Sequence, residues 1–227
     1  MKAIIFDLDG TLVDSMKYWN ELNTEFMRTK GVEVPAEINH KLITKSLIGS
    51  LKFLKDYYNL KESVDELFEE SKKTIIDFYS NKVEPKKDAL EILKYFKDAG
   101  LKIVIGTSTE EKFARIVMEK YGIDKYIDGI YTVDSIGISK EEKEFFIEIS
   151  KKINVNPMEM MLVDDNFLAL RAAREAGLKT CGIYDVNSKD AWQTIKRENE
   201  NSITNLIELK EIWDYFSSLL FGLYQPL

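Results

Sequence analysis

Residues 3–15 read AIIFDLDGTLVDS. The first four, Ala3–Phe6, are apolar without polar alternation, which is typical of a short strand that a parallel sheet buries on both faces. Asp7 ends this run, and Asp9 follows after one apolar residue. Gly10 permits a tight loop whose backbone N–H groups can approach an anion. The stretch therefore predicts a buried strand with two carboxylates and an anion-binding loop at its carboxyl end.

The rest of the chain repeats short apolar runs between helical patterns. Further strands are predicted at residues 101–107, 129–133, 160–164 and 179–184. Helices are predicted between Pro85 and Gly100, and at residues 109–121, 140–152 and 166–176. Strands and helices that alternate in this way favour right-handed crossovers. The predicted fold class is α/β, with a doubly wound, Rossmann-like parallel sheet as its core and an inserted α-helical cap domain.

The cap is predicted where the alternation breaks, between residues 15 and 83. This segment shows helical patterns at residues 18–29, 36–58 (in one or two pieces) and 63–79, and it is too apolar for a loop. We expect a core domain of residues 1–14 and 84–227 and a helical cap domain of residues 15–83, with hinge motion at connectors near residues 13–17 and 79–85. Asp14 and Ser15 are expected to cap the first inserted helix. Residues 212–227 are expected to form a docking helix with a loose tail.

Composition excludes several classes of partner. The net charge of −7 argues against nucleic acid, which requires a basic surface. No apolar run reaches the length that spans a bilayer, so no membrane contact is expected. Cys181 is the single cysteine, which excludes an intrachain disulfide and favours a reducing compartment. With no signal peptide before the first strand, we expect a cytoplasmic protein that is a monomer or a weak homodimer.

Polar residues collect at the predicted strand ends, where open parallel sheets bind their ligands. They are Asp7, Asp9, Thr107, Ser108, Lys140, Asp164 and Asp165. Carboxylates this close repel one another unless a cation lies between them, and oxygen ligands of this kind suit Mg²⁺. One or two of these Asp side chains, with water and a phosphate completing the shell, would form the Mg²⁺ site. A phosphoryl group would be bound by Leu8, Gly10, Thr107, Ser108 and Lys140.

Four motifs together resemble the haloacid dehalogenase-like hydrolase superfamily. FDLDGTLVDS at residues 6–15 is similar to its first motif, and the strand end at Thr107 to its second. Lys140 stands in the place of the third-motif lysine, and VDDN at residues 163–166 resembles the fourth motif. The run after Ser139 departs from the usual Gly-Lys-Pro-x-Pro-Asp, which leaves Lys143 as a second candidate. The helical insertion resembles the type-one cap of the β-phosphoglucomutase and phosphoglycolate-phosphatase branch.

The resemblance implies a catalytic mechanism for a phosphatase that acts on a small phosphorylated metabolite. Asp7 would attack phosphorus and form an aspartyl-phosphate, while Asp9 would protonate the leaving oxygen and then activate water. Asp7, the Asp9 backbone carbonyl and Asp165 would hold Mg²⁺, and Asp164 would do so directly or through water. Thr107 and Lys140 complete the predicted catalytic set. Asp9 argues against dehalogenase chemistry, because a departing halide needs no proton.

Two other functions stay open at this point. A sugar-phosphate mutase of the β-phosphoglucomutase type would carry a cap histidine near Trp19 and an arginine-rich cap loop, whereas residues 43–51 read ITKSLIGSL. A non-catalytic module could use the same site only to bind phosphate or a partner. Substrate choice is expected to depend on the cap, with Tyr18, Lys45 and Ser46 as candidates to face the substrate.

Overall fold

The apolar run that begins at Ala3 forms the central strand of a parallel sheet. The computed structural model describes residues 1–42 and 47–222. Within them, the sheet consists of β1 (Ala3–Phe6), β2 (Lys102–Thr107), β3 (Gly129–Thr132), β4 (Met160–Asp164), β5 (Lys179–Ile183) and β6 (Asn201–Ile203). The strand order is β3-β2-β1-β4-β5-β6, and each neighbouring pair is parallel. This sheet confirms the predicted doubly wound α/β fold.

The strand order determines where a ligand can bind. The chain moves outward from β1 through β2 to β3 and then crosses back to place β4 on the other side of β1. Such a reversal leaves a crevice outside the carboxyl ends of the two central strands. In the register, Phe6 lies between Ile105 of β2 and Val163 of β4. The residues that follow β1 and end β4 therefore reach the same edge of the sheet.

Helices occupy the connections between the strands, and one more helix follows the last strand. They are α1 (Met16–Thr29), α2 (Ala36–Leu42), α3 (Leu47–Tyr58), α4 (Val64–Asp77), α5 (Ala89–Asp98), α6 (Glu111–Tyr121), α7 (Val133–Ile136), α8 (Lys143–Ile153), α9 (Phe167–Glu175), α10 (Trp192–Glu198) and α11 (Leu209–Gly222). A π-helical turn, Phe78–Lys82, follows α4.

Apolar clusters cover both faces of the sheet. In β1, Ile4 and Phe6 face a cluster that includes residues of α5, α6 and α11. Ala3 and Ile5 face the opposite cluster, to which α8, α9 and α10 contribute. Burial on both faces explains why β1 is apolar at every position.

The four helices α1–α4 occupy the predicted insertion. None of the described residues between 15 and 83 lies in a strand. A separate apolar cluster joins these helices and includes Phe26, Leu54 and Leu67. Other inserted residues, among them Leu22 and Ile75, pack into the cluster on the sheet. The division into a core domain and a cap domain stays a prediction, because the insertion has its own apolar core and also shares one with the sheet.

The two connectors of the insertion run side by side. Val13 and Pro85 form an isolated antiparallel bridge. The Asp14 N–H donates to the Glu84 carbonyl at 2.8 Å, and the Lys86 N–H donates to the Leu12 carbonyl at 2.8 Å. The insertion therefore joins the sheet through a short paired neck.

Pro85 does not open a helix, contrary to the sequence prediction. It pairs with Val13 in the neck, and α5 begins only at Ala89, after Asp88 adopts a left-handed conformation with φ of 67°. Lys140 also lies outside the helix predicted for it, because α8 begins at Lys143. The local patterns marked these helices correctly but placed their first turns too early, since contacts with the neck and the site hold the preceding residues in extended or turn conformations.

The end of the chain differs from its prediction in two further ways. β6 and α10 are additional elements that the sequence analysis did not identify. β6 is only three residues long, which is too short for a recognisable strand pattern. The predicted docking helix is confirmed as α11, whose Trp213 ring packs edge-on against Phe96 at 6.2 Å. The predicted loose tail at residues 223–227 lies outside the described residues.

Gly182 determines how closely α10 approaches β5. A Cβ at this position would lie 2.2 Å from Ile195 Cγ2. We expect Gly182→Ala to lower the free energy of unfolding by about 1–3 kcal/mol through overpacking, measured by urea unfolding. Ile195→Ala removes the obstructing atom. The double variant should therefore lose less free energy of unfolding than the sum of the losses in the two single variants. Additive losses would contradict this contact.

Candidate active site

Three carboxylates from opposite parts of the sequence meet at the carboxyl edge of the sheet. Asp7 follows β1 and continues its ladder, because its N–H donates to the Val163 carbonyl at 3.0 Å. Asp164 ends β4, and Asp165 follows it. Asp7, Asp164 and Asp165 each offer one oxygen, and these oxygens lie within 4.8 Å of one another. All three residues are buried.

The loop after β1 folds tightly around one backbone carbonyl. The N–H groups of Leu12 and Val13 donate to the Leu8 carbonyl at 2.9 and 3.0 Å. The Leu8 side chain is fully buried in the apolar cluster on the sheet. Any part that Leu8 plays in phosphate binding must therefore come from its backbone.

Gly10 brings this loop against the second half of the site. Its φ is +84°, and a Cβ built on it would lie 2.8 Å from Asp165 Oδ2. Glycine is required here for two reasons, because other residues are strained at this φ and because a side chain would displace the Asp165 carboxylate.

Lys140 joins the two strand ends. Its Nζ donates to Asp7 Oδ1 at 2.5 Å and pairs with Asp164 Oδ2 at 2.7 Å. Lys140 is 6% exposed. Lys143, the alternative lysine, is exposed at the start of α8. The geometry thus favours Lys140 as the ammonium of the site.

Burial controls the electrostatics of the cluster. It raises the pKa of Asp7 to about 7, and the nearby Lys140 ammonium only partly opposes this shift. Burial, followed by the charges of Asp164 and Asp7, holds the Asp165 pKa well above its ordinary value. Burial acts to lower the pKa of Lys140, but Asp164 and Asp7 outweigh it and the Lys140 pKa is raised. The lysine therefore stays charged while Asp7 and Asp165 resist ionisation.

This donor set fits a divalent cation. The cluster holds three carboxylates, and one ammonium pairs with two of them, so full ionisation would leave two uncompensated negative charges. The available ligand atoms are oxygens, which Mg²⁺ prefers. A second ion pair lies beside the cluster, where Lys86 Nζ is 3.0 Å from the buried Asp185 carboxylate. A cation at the three carboxylates would offset the charges of Asp164 and Asp7, which add to burial in raising the pKa of Asp165.

Asp9 is held by neighbours different from those of Asp7. The Tyr79 hydroxyl donates to Asp9 Oδ1 at 3.0 Å, and the Thr109 hydroxyl donates to Asp9 Oδ2 at 2.7 Å. Burial raises the pKa of Asp9, while the hydrogen bonds from Thr109 and Tyr79 act in the opposite direction. Because these hydrogen bonds occupy the Asp9 carboxylate, the backbone carbonyl is the group of Asp9 that could bind a metal. That role stays a prediction.

Asn166, rather than either aspartate, caps α9. Its side chain accepts hydrogen bonds from the Leu168 and Ala169 N–H groups at 2.8 and 3.3 Å. Asp164 Oδ1 accepts from the Asn166 N–H at 2.9 Å. Because the cap is supplied by Asn166, both aspartates can face the cluster.

The strand end at Thr107 is arranged differently from the other two. Thr107 is buried, and its hydroxyl accepts a hydrogen bond from the Thr109 N–H at 3.1 Å. Ser108 is exposed. The hydroxyl of Thr107 thus supports the following turn in this structure, and the phosphate-binding roles of Thr107 and Ser108 stay predictions.

Sequence reasoning missed the contacts of Tyr79 and Thr109 and misjudged Ser15. Thr109 follows a predicted strand end by two residues, which is a usable signal, whereas nothing in the local pattern marks Tyr79 as a neighbour of Asp9. Ser15 occupies the N-cap position of α1, but its side chain makes no capping hydrogen bond there. Asp14 pairs instead with Lys17 at 2.5 Å.

The candidates for substrate contact are only partly described. Lys45 and Ser46 lie outside the described residues, and the side chain of Trp19 is also outside the description. Tyr18 is partly buried, and its ring packs edge-on against Phe78 at 6.5 Å. Tyr18 therefore lies where the insertion meets the return connector.

Comparison with known proteins places this site in a family. The family model of haloacid dehalogenase-like hydrolases matches residues 1–177. The chain belongs to this family. The match spans the residues from Asp7 to Asp165, so the resemblance inferred from the four motifs is confirmed.

Relatives of known activity class cover most of the chain. The "Phosphorylated carbohydrates phosphatase" of Thermotoga maritima is 23% identical over 189 residues, which are 82% of this chain and 85% of that protein. Phosphoglycolate phosphatase of Aquifex aeolicus is 23% identical over 204 residues, with 88% and 94% covered. The CbbY structure of Rhodobacter sphaeroides, solved with phosphate, shares the fold with a TM-score of 0.82 at 16% identity, over 92% of this chain and 96% of CbbY. The chain is an enzyme of this hydrolase family, a phosphatase.

A membrane-spanning role finds no support among the helices. In the part of the chain that the structure describes, none of them is both long and apolar enough to cross a bilayer.

We expect Gly10→Ala to lower phosphatase activity about 100-fold, because the new Cβ displaces Asp165 and small misplacements in a site are costly. Gly31→Ala is the matched control, since Gly31 has a similar φ of +72° but no atom within 4 Å of the added Cβ. Both variants carry the same backbone strain, and only the first should lose activity in a phosphate-release assay. Equal losses would show that backbone strain, rather than contact with Asp165, is responsible.

Proposed function

We propose that the protein is a Mg²⁺-dependent phosphatase that hydrolyses a small-molecule phosphate monoester through an aspartyl-phosphate on Asp7. The observation that supports it best is the position of the Asp7 carboxylate. It ends the central strand beside Asp164 and Asp165 and is held by Lys140 at 2.5 Å. A carboxylate that attacks a phosphate needs positive charge beside it, because the negative charge of the substrate must be offset where the attack occurs.

In the first step, one Asp7 oxygen attacks phosphorus. The bond between phosphorus and the leaving oxygen breaks, and that oxygen takes a proton from Asp9. In the second step, Asp9 accepts a proton from water, and the water oxygen attacks the phosphorus of the aspartyl-phosphate. Cleavage of the bond between phosphorus and Asp7 releases inorganic phosphate and restores the Asp7 carboxylate and the protonated Asp9.

The surrounding residues orient and neutralise the phosphoryl group. Lys140 would move its charge from Asp7 toward the phosphoryl oxygens, and the loop N–H groups near Gly10 would donate to them. Asp7, Asp164, Asp165 and the Asp9 carbonyl would hold Mg²⁺. The bound cation supplies positive charge next to the nucleophile and the phosphate. The buried positions of these groups keep the charges in a medium where they act strongly.

Substrate choice is assigned to the helical insertion. The sheet edge offers groups for the phosphoryl moiety, and the insertion joins the core through the neck at Val13 and Pro85 and reaches Asp9 through Tyr79. Phosphorylated carbohydrates and phosphoglycolate, on which the two relatives act, are the first candidates for a substrate panel.

We expect purified protein to release phosphate from p-nitrophenyl phosphate, and from at least one member of the metabolite panel, only when Mg²⁺ is present. Asp7→Asn should lose at least about 1,000-fold in turnover because the nucleophile is gone. Its melting temperature should stay similar or rise, since one buried charge is removed. Asp98→Asn is the control, because Asp98 forms an exposed pair with Lys94 and lies away from the site.

Three outcomes would contradict this function. Turnover by Asp7→Asn would remove Asp7 as the nucleophile. Formation of glucose 6-phosphate from β-glucose 1-phosphate, without phosphate release, would instead support the mutase. A well-folded protein that releases phosphate from no member of the panel would support the non-catalytic alternative.

Metal binding can be tested without activity. At about 10 times its dissociation constant, Mg²⁺ should raise the melting temperature by about 3–6 °C, because a cation that binds only the folded state stabilises it. Asp165→Asn should weaken this shift, whereas Asp98→Asn should retain it. A differential scanning fluorimetry titration gives the result, and an unchanged shift in Asp165→Asn would exclude that residue as a ligand.

A further inference from the structure

The Asp9 carboxylate accepts hydrogen bonds from two hydroxyl groups that come from different parts of the fold. Tyr79 belongs to the π-helical turn that returns from the insertion, and Thr109 lies between β2 and α6. Their oxygens are 3.0 and 2.7 Å from the two carboxylate oxygens of Asp9. The two hydroxyl oxygens lie 3.3 Å from each other, so they form one small network around the carboxylate.

The network fixes Asp9 but leaves it free to exchange a proton. Each hydroxyl has one hydrogen, and both are directed at Asp9. A carboxylate has about four acceptor sites, so each oxygen of Asp9 keeps a second site for a proton. Hydroxyl groups can also turn and accept, which lets Tyr79 and Thr109 remain in place when Asp9 changes its protonation state.

Tyr79 is itself held rigidly. The residue is fully buried, and its ring stacks on Phe113 of α6 with a centroid distance of 6.5 Å and an angle of 6°. Phe78 packs edge-on against it at 4.9 Å. The next residue of the turn, Ser80, accepts a hydrogen bond from Lys120 Nζ at 2.6 Å. A hydroxyl on so fixed a ring can define the orientation of Asp9.

We propose that Tyr79, together with Thr109, positions Asp9 for proton transfer to and from the reacting oxygen. This inference rests on the proposed function, in which Asp9 is the general acid and base. Tyr79 and Thr109 are positioning residues, because they act through Asp9 and not on the substrate. Tyr79 lies in the connector that leads out of α4. The same turn therefore carries the chain back from the insertion and orients the Asp9 carboxylate.

A leaving-group series tests this role. A good leaving group such as p-nitrophenolate needs little protonation, whereas phenolate and p-methylphenolate need more help from an acid. We expect Tyr79→Phe to lower kcat/KM for p-methylphenyl phosphate about 10-fold and for p-nitrophenyl phosphate by no more than about 2-fold. The parameter kcat/KM reports phosphoenzyme formation, the step in which Asp9 acts as acid.

The controls separate positioning from general damage. Tyr95→Phe is the matched control, because the Tyr95 hydroxyl also donates to an aspartate, Asp214, at 2.6 Å, but on the exposed surface. This variant should leave kcat/KM unchanged for every substrate of the leaving-group series. Thr109→Val should repeat the effect of Tyr79→Phe, and Thr109→Ser, which keeps the hydroxyl, should restore most of the activity. If Tyr79→Phe fails to fold, this second pair still tests the network.

The outcomes distinguish the two proposals. An equal loss on every substrate, or no loss, in folded Tyr79→Phe and Thr109→Val would overturn the positioning role while the wild-type activity still supports the phosphatase mechanism. A wild-type protein that releases no phosphate in the presence of Mg²⁺, either from the aryl phosphates or from any member of the metabolite panel, would overturn both. A loss that grows as the leaving group becomes poorer, with rescue by Thr109→Ser, is the expected result.

Discussion

Lys140 places one positive charge between two carboxylates that are largely removed from water. Its ammonium contacts Asp7 and Asp164, which come from the two central strands. Buried charges are costly unless they are paired, and removing one member of such a group leaves the others uncompensated. One lysine cannot balance three carboxylates, so the cluster retains an excess of negative charge. Burial, followed by the charges of neighbouring carboxylates, raises the pKa values of Asp7 and Asp165, and a bound cation would offset the negative charge.

The backbone has to meet strict conditions to hold these charges so close together. Gly10 passes against the Asp165 carboxylate at a distance that excludes any Cβ. Asn166 supplies the cap of α9, which leaves Asp164 and Asp165 available to the site. The switch in strand order between β1 and β4 provides the crevice in which all of this occurs. The chemistry therefore depends on main-chain geometry as much as on the acidic side chains themselves.

The insertion meets the site at a paired neck. Val13 and Pro85 bridge the outgoing and returning connectors, and Tyr79 precedes the returning one. A movement of α1–α4 must pass through these few residues because they join the insertion to the sheet. The same segment contacts Asp9, so any closure of the insertion over a substrate would involve residues next to the proposed acid. Such an arrangement would allow the enzyme to exclude water while its proton donor is already oriented.

The sequence by itself determined the parallel sheet, the helical insertion and the acidic residues at the strand ends. These features are local, because apolar runs, helical periodicity and the DLDGT motif each occupy adjacent positions. The tertiary structure alone decided that Lys140 rather than Lys143 reaches Asp7, that Pro85 pairs with Val13 in the neck, and that Tyr79 holds Asp9. These contacts join residues far apart in the chain, and their geometry follows from strand order and packing, which no local pattern contains.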